Sequence, residues 1–470
     1  MLSGPAPAAR GVQFASRGNA AARREACSSA PSPHAPPCRS IGARVRRRPA
    51  GRADADAHGV WDTGSMLILH TSDWHLGRTL HGEDLSDSAD AFLDWLIGLV
   101  EERGVDAVVV SGDVYDRAVP PVDSVRRLRR ALVALCARAP VVLTSGNHDG
   151  PVRLGAFAGL LDARLTVVTD PLSVGTAVEL GGADRGALVY AIPYLEPDLV
   201  RQQLSDLPGG EDQGPPPLPR SHEAVVAAAL RRVGADLRRR RADGDDRPAL
   251  CMAHAFITGA LPSDSERDIE VGGVASVSTS LFDSLGLDGG FEGHGLDYVA
   301  AGHLHRPQDV AGASVPIRYS GSPIAYSFSE AGAAKSVTLV STGPTSVLSV
   351  EEAPVPVLRE VRVLEGTMDA LLSDPDPGAQ RSYCSVTVTD AARPAQMVPR
   401  IREAYPHALV VQHRSPAEAS HRPGRGAVAS RSPREVCEEF FEAVGGRALD
   451  EKERGVARSV WERMRGEERS

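Results

Sequence analysis

The sequence predicts a layered α/β domain followed by a small α+β domain and a terminal helix. Three observations carry that expectation. Short apolar runs alternate with helical patterns from residue 66 onward. Five of those runs end in a glycine or small residue followed by Asp, Asn or His. Near Pro356 the pattern changes to short strands around two helices.

Taken in order, residues 1–65 are rich in Ala, Arg, Pro, Gly and Ser and show no apolar periodicity, so they cannot bury enough surface to order themselves. Met66 stands directly before a strand-like run, where a natural start would fall. An over-extended start or a dispensable tail is therefore expected rather than an Arg-rich targeting segment. Strands are expected at 66–69, 107–110 and 141–143, with helices at 87–103 and 122–139 between them. In the second helix Val125, Leu128, Leu132 and Leu135 form one stripe, flanked by Arg126, Arg127, Arg129 and Arg130. Shorter elements lead to a strand at 187–192. The Pro- and Gly-rich stretch 208–219 is a linker or surface loop, and 222–241 is a helix. Its closing run, Arg238–Arg241, suits the negative end of the helix dipole. Strands at 249–253, 298–301 and 336–340 complete the first domain, 66–350.

The second domain, 351–415, has strands expected at 359–364, 385–388 and 409–412 and a helix at 396–405. After a linker at 416–431, Ser432-Pro433-Arg434-Glu435 is a capping box that opens a helical segment over 432–470. Val436, Phe440 and Val444 recur on one face of it, with Phe441 beside them, a surface that suits packing on its own domain and a docking partner about equally.

Composition narrows the function. No apolar run approaches the 18 or so residues a membrane span needs, so no membrane association is expected. The six cysteines are scattered without a CxxC pair, which argues against a disulfide framework or zinc–thiolate site and suits the reducing cytoplasm. Formal net charge is −9; residues 1–65 hold ten Arg against four acids, a net of +6, which leaves −15 on the remainder. A polyanionic substrate would then need local basic patches, metals or a partner. Only two lysines occur, Lys335 and Lys452, beside 50 arginines, a bias attributable to base composition.

The strand ends carry the chemistry. They present Asp73-Trp74-His75, then Gly112-Asp113-Val114-Tyr115-Asp116, Gly146-Asn147-His148-Asp149, His254, and Gly302-His303-Leu304-His305. In an open α/β sheet such ends converge on one edge, where ligands bind. Any one set is weak evidence, since a short Asp-x-His arises by chance. All five behind apolar strands have no comparable structural explanation. Asp73, His75, Asp113, Asn147, His254, His303 and His305 form an all-nitrogen and oxygen donor set. It suits Mn, Fe or Zn in five- or six-coordination rather than structural zinc. Seven donors are too many for one ion but suit two that share a carboxylate. Such a pair can drive in-line displacement at phosphorus. Asp149 stands beside His148 as a carboxylate able to orient it.

These motifs resemble the calcineurin-like metallophosphoesterase superfamily. More narrowly, His70-Thr71-Ser72-Asp73-Trp74-His75-Leu76-Gly77, Ser111-Gly112-Asp113-Val114-Tyr115-Asp116, Val299–His305 and Tyr319-Ser320-Gly321-Ser322-Pro323 resemble its SbcD nuclease branch. The resemblance implies a layered metallophosphoesterase β-sandwich flanked by helices, with 351–415 as a capping domain. It also implies two Mn²⁺ ions. Asp73, His75, Asp113 and His305 would hold one, and Asp113, Asn147, His254 and His303 the other. His148 would assist the leaving group without binding metal, Asp149 would orient it, and Asp116 would tighten its turn. The implied activity is exonuclease and endonuclease cleavage of DNA double-strand ends and hairpins in repair and recombination. It would act as a homodimer within a heterotetramer with SbcC, an SMC-like ATPase that docks on the 432–470 segment and alone uses ATP. The Arg126–Arg130 cluster is a candidate DNA contact, although a solvated helix face is the default reading. A stand-alone phosphodiesterase or phosphatase is the alternative enzyme, and a non-catalytic scaffold the alternative class. The segments beyond residue 350 weigh against the first and the full donor set against the second.

Overall fold

The structure, a computed structural model, describes residues 65–156, 158–160, 164–209, 214–266, 276–416 and 449–456. The N-terminal extension, most of the 416–431 linker, and the capping box with Phe440 and Phe441 lie outside the described residues.

From the first described residues the chain forms β1 (Met66–Thr71), α1 (Ser86–Arg103), β2 (Ala107–Ser111), α2 (Val122–Cys136), β3 (Val141–Thr144) and β4 (Leu165–Val168). Next come β5 (Ala177–Gly181), β6 (Gly186–Ile192), α3 (His222–Ala242), β7 (Ala249–His254) and β8 (Tyr298–Gly302). Strands β9 (Gln308–Val310), β10 (Ile317–Tyr319), β11 (Ser336–Thr342) and β12 (Val347–Pro354) complete two six-stranded sheets. Their orders are β12-β11-β1-β2-β3-β4 and β9-β10-β8-β7-β6-β5. Strands β1 to β4 run parallel, as do β6, β7, β8 and β10, while the outer strands β12 and β9 pair antiparallel.

Period-two alternation explains the layering. Ile68, Val109 and Val142 point from the first sheet into one core with Val189, Met252 and Ala300 of the second. Their chain neighbours Leu69, Val108 and Leu143 face the other way, against Leu93 and Leu96 of α1 and Leu128 and Leu135 of α2. On the second sheet Leu188, Cys251 and Val299 face Val225, Val233 and Leu237 of α3. Both faces of each sheet are covered, which is why the central strands are uninterrupted apolar runs. Each such side chain contributes roughly 1.5–3 kcal/mol by leaving water. Helix α3 starts where the Ser221 side chain accepts the Ala224 N–H. Helix α2 ends at Cys136, three residues earlier than expected, because Pro140 disfavours helix in the residue before it.

The smaller domain contains β13 (Val361–Gly366), α4 (Met368–Ser373), α5 (Pro377–Arg381), β14 (Tyr383–Val388), α6 (Met397–Ala404) and β15 (Ala408–His413). Its three strands are parallel in the order β13-β14-β15 and are joined by three short helices rather than the two expected. Met368, Leu371, Val386, Val388, Met397 and Ile401 form its separate core.

Several sequence expectations change in detail. The described part of the 208–219 stretch is a surface loop pinned to the domain: the Leu218 N–H donates to the Arg201 carbonyl and the Ser205 hydroxyl to the Pro216 carbonyl. Three arginines of the α2 cluster are paired with acids. Arg127 takes Asp90 at 2.8 and 3.0 Å, Arg130 takes Asp94 and Asp90 at 2.8 Å, and Arg126 takes Asp123 at 2.8 Å. Arg127 and Arg130 therefore tie α2 to α1, while the Arg126 pair stays within α2. Arg240 likewise pairs with Asp236 and Glu179, and Arg241 bonds the carbonyls of Asp245 and Arg247. Among the described residues no helix is long and apolar enough to cross a membrane, and Cys251 and Cys384 are free thiols.

Candidate metal centre

The carboxyl ends of β1, β2, β3, β7 and β8 meet at one edge, and backbone contacts weld them together. The Asp73 N–H donates to the Gly112 carbonyl (3.1 Å) and the His75 N–H to the Asp113 carbonyl (2.9 Å). Four of the expected donors sit at positive φ: Asp73 at 55°, His75 at 42°, Asp113 at 48° and His303 at 109°. Left-handed backbone is unfavourable for such residues and clusters at working sites. The glycines explain the close approach. A Cβ on Gly112 would lie 2.3 Å from His254 Nδ1, and one on Gly146 would lie 2.2 Å from Asp113 Oδ1.

All seven expected donors converge around Asp113. Its Oδ2 lies 3.5 Å from His75 Nε2 and 3.4 Å from His254 Nε2. His75 Nε2 and His305 Nε2 are 3.0 Å apart. Two donors at right angles on an ion roughly 2.1 Å from each would stand about 3 Å apart. Asn147 Oδ1 lies 3.0 Å from His254 Nε2 and 3.3 Å from His303 Nδ1. Donor atoms of Asp73, His75 and His305 lie within 4.8 Å of one another, as do those of Asp73, Asp113 and His254.

Burial makes this arrangement demanding. Asp73 is 0% and Asp113 2% exposed, and their close neighbours are imidazoles, hydroxyls and backbone N–H groups rather than Lys or Arg. Burial pushes Asp73 up to about 7. Burial also opposes ionisation of Asp113, yet His254 and His75 hold it well below the ordinary carboxylate value. Burial lowers His303 to about 3 and His75 and His305 well below the usual imidazole value, so these rings keep lone pairs for a cation. At His254 burial is outweighed by Asp113, and its pKa rises to about 9. Buried carboxylates beside imidazoles, three of them held neutral, fit divalent cations, which would replace the His254 proton as countercharge.

His148 faces the same edge, its Nε2 4.0 Å from Asp113 Oδ2, while its backbone N–H donates to Asp113 Oδ1 at 2.8 Å. The orienting role expected of Asp149 falls elsewhere. His148 Nδ1 lies 2.7 Å from the Asp116 carbonyl oxygen. The Asp149 carboxylate instead accepts the N–H groups of Gly146 (2.9 Å), Val114 (3.1 Å) and Tyr115 (2.9 Å). It clamps the β2 and β3 loops and acts on His148 only through that frame. Asp116, expected to tighten its turn, offers this carbonyl to His148 and places its carboxylate 4.0 Å from His75 Nδ1 and 3.7 Å from Arg78 Nη1.

Other polar groups support the donors from behind. The Ser72 hydroxyl donates to Asp73 and meets Ser320 Oγ at 2.9 Å, which gives the Tyr319–Pro323 motif its place beneath the centre. Lys335 and Glu330 form a buried ion pair, 2% and 0% exposed at their side chains. Lys335 Nζ also donates to the His305 carbonyl and to Ser322 Oγ, both at 2.9 Å. Glu330 accepts the N–H groups of Tyr326 and Ser327. Removing one member of a buried pair strands the other, at about 3–5 kcal/mol. Lys335→Met is expected to lower unfolding stability by that amount in urea titrations; a change under about 1 kcal/mol would show that the pair holds nothing in place.

A profile of the calcineurin-like phosphoesterase family matches residues 66–307. A second, described as the type 5 capsule protein repressor C-terminal domain, matches residues 357–444. Over 284 residues the chain is 38% identical to the SbcD subunit of the nuclease SbcCD of Bacillus subtilis (strain 168), covering 59% of this chain and 67% of that one. Among solved structures, TT1561 of Thermus thermophilus aligns with a TM-score of 0.32 at 14% identity, over 59% of this chain and 99% of its own. GAP50, the anchor in the inner membrane complex of Plasmodium, aligns with a TM-score of 0.34 at 11% identity, over 62% and 89%.

Proposed function

Because the chain belongs to the calcineurin-like phosphoesterase family and is a relative of the SbcD subunit of the nuclease SbcCD, we propose that it is a metal-dependent DNA nuclease acting in an SbcCD-type complex. The observation that carries this reading is the convergence of seven nitrogen and oxygen donors, from five strand ends, around the buried Asp113 carboxylate.

Asp73, His75, Asp113 and His305 would hold one divalent cation, and Asp113, Asn147, His254 and His303 a second, with Mn²⁺ the proposed metal. Bound there, the ions would neutralise charge on the phosphate and supply a nucleophile from water. The chain's own residues do the rest. Asp113 sets the spacing of the two donor groups, and Asn147 adds a neutral oxygen at the mouth. His148, with Nδ1 held by the Asp116 carbonyl, presents Nε2 to the leaving oxygen and delivers a proton there. Asp149 keeps the two loops in register.

The substrate would be DNA ends and hairpins, and the partner an SbcC-type ATPase that alone uses ATP. The acidic net charge supports this division, since the metals and partner would provide much of the phosphate affinity. Residues 351–415 would cap the site and 432–470 would dock the ATPase. Val119, Val122 and Val125, exposed beside and on α2, are available for pairing with a second copy of the chain.

The test is cleavage of a hairpin-ended duplex by the purified protein in Mn²⁺, with and without an SbcC-type partner and ATP. Cleavage lost in EDTA and restored by Mn²⁺ is expected, with stimulation by partner and ATP. Hydrolysis of small phosphodiesters with intact hairpin DNA under every condition would instead identify a stand-alone phosphodiesterase.

A further inference from the structure

His305 is held at every polar atom but one. Its N–H donates to Glu266 Oε1 (2.8 Å), and its carbonyl accepts from Lys335 Nζ (2.9 Å) and the Ser322 N–H (3.1 Å). Its Nδ1 lies 2.7 Å from Ser265 Oγ. Nε2 alone is left to face the centre, 3.0 Å from His75 Nε2.

The segment that grips it is itself built. Ser265 is 6% exposed, and its hydroxyl meets Ser263 Oγ at 2.7 Å. The second oxygen of Glu266 accepts the Ser263 N–H at 2.6 Å. Arg78 Nη2 donates to the Ser265 carbonyl at 2.7 Å, which ties this segment to the loop that carries Asp73 and His75. The Arg78 guanidinium lies 4.9 Å from the Tyr326 ring centre, and that ring stands edge-on to both His75 and His305.

We propose that Ser265 and Glu266 are positioning residues that set the tautomer and angle of His305 for a divalent cation. This rests on the metal-dependent reading above. A neutral imidazole carries one proton, and the nitrogen that bears it cannot bind metal. At His254 the choice is forced, because Nδ1 faces the Ser111 carbonyl oxygen at 2.8 Å and a carbonyl can only accept. At His305 the neighbour is a hydroxyl, which donates or accepts. Ser263 opens the metal-binding arrangement: its hydroxyl can accept from Ser265 at 2.7 Å, which leaves Ser265 to accept the Nδ1–H while Nε2 keeps its lone pair. Glu266 fixes the backbone so the ring cannot swing, and Arg78 mounts the assembly on the loop that supplies the same ion's other donors.

Mn²⁺ titration of the full chain, followed by calorimetry and by the electron paramagnetic resonance of free Mn²⁺, tests this. Ser265→Ala is expected to weaken one of two binding steps about 10–100-fold while the other stays at its wild-type value. Its unfolding midpoint in EDTA should match wild type, and Ser265→Thr, which keeps the hydroxyl, should recover most of the affinity. Glu266→Gln should weaken the same step. Unchanged affinity in Ser265→Ala, or an equal loss in Ser265→Thr, overturns the assignment while the nuclease reading stands. A wild-type protein that binds no Mn²⁺ overturns both.

Discussion

Asp113→Asn is expected to give a folded protein that no longer holds a metal pair and cleaves DNA more than about 10³-fold more slowly, since metal stabilisation of the transition state is worth several kcal/mol. The substitution separates charge from shape. The Asn side-chain carbonyl can still accept the His148 N–H that Asp113 Oδ1 now takes at 2.8 Å, so the β2 and β3 loops should keep their register. What disappears is the one negative charge lying between His75 and His254. Metal content measured after gel filtration should fall well below that of wild type, while the far-ultraviolet circular dichroism is preserved. Retention of both ions, or activity within tenfold of wild type, would remove Asp113 from the shared position.

The donor set was legible because each member follows an apolar strand within a few residues, where a glycine or small residue turns the chain. That local signal survives without knowledge of which strands are neighbours. The support around it was not legible, because its members are brought together across long stretches of chain. Lys335 and Glu330, five residues apart, look like an ordinary solvated pair until the chain folds over them and presses Lys335 against the His305 carbonyl. Ser263, Ser265 and Glu266 lie in a polar loop with no periodicity, and only the fold carries them to His305. Asp149 misled for the opposite reason. Its proximity in sequence to His148 suggested a contact, whereas its carboxylate turns back to three backbone N–H groups.

The fold shows the same division. Central strands such as β1, β2 and β7 are buried on both faces and announce themselves as apolar runs. Strand β12 lies at a sheet edge with most residues exposed, including Glu351 and Glu352, and β9 and β10 have three residues each. Edges and short strands carry little hydrophobic pattern. Arg127 and Arg130 of α2 were ambiguous in sequence because their partners, Asp90 and Asp94, belong to a different helix.

His148→Ala should reduce turnover of DNA about 10²–10⁴-fold, the range expected for loss of a positioned proton donor, and the size of the loss should depend on the leaving group. A DNA phosphodiester expels an alkoxide, which needs a proton as the bond breaks. A p-nitrophenyl phosphodiester expels a stable phenolate, which does not. His148 is placed to serve the alkoxide, since Nδ1 is anchored 2.7 Å from the Asp116 carbonyl and Nε2 points to the edge where Asp113 sits 4.0 Å away. Its ring lies edge-on to His75 at 4.6 Å, close to the donors without duplicating their role. The variant should therefore bind Mn²⁺ like wild type and hydrolyse the activated ester within about tenfold of it, while DNA cleavage collapses. Equal losses on both substrates would mean that His148 acts before the leaving group departs, by holding the phosphate or the metals, and proton delivery would have to be assigned to another group.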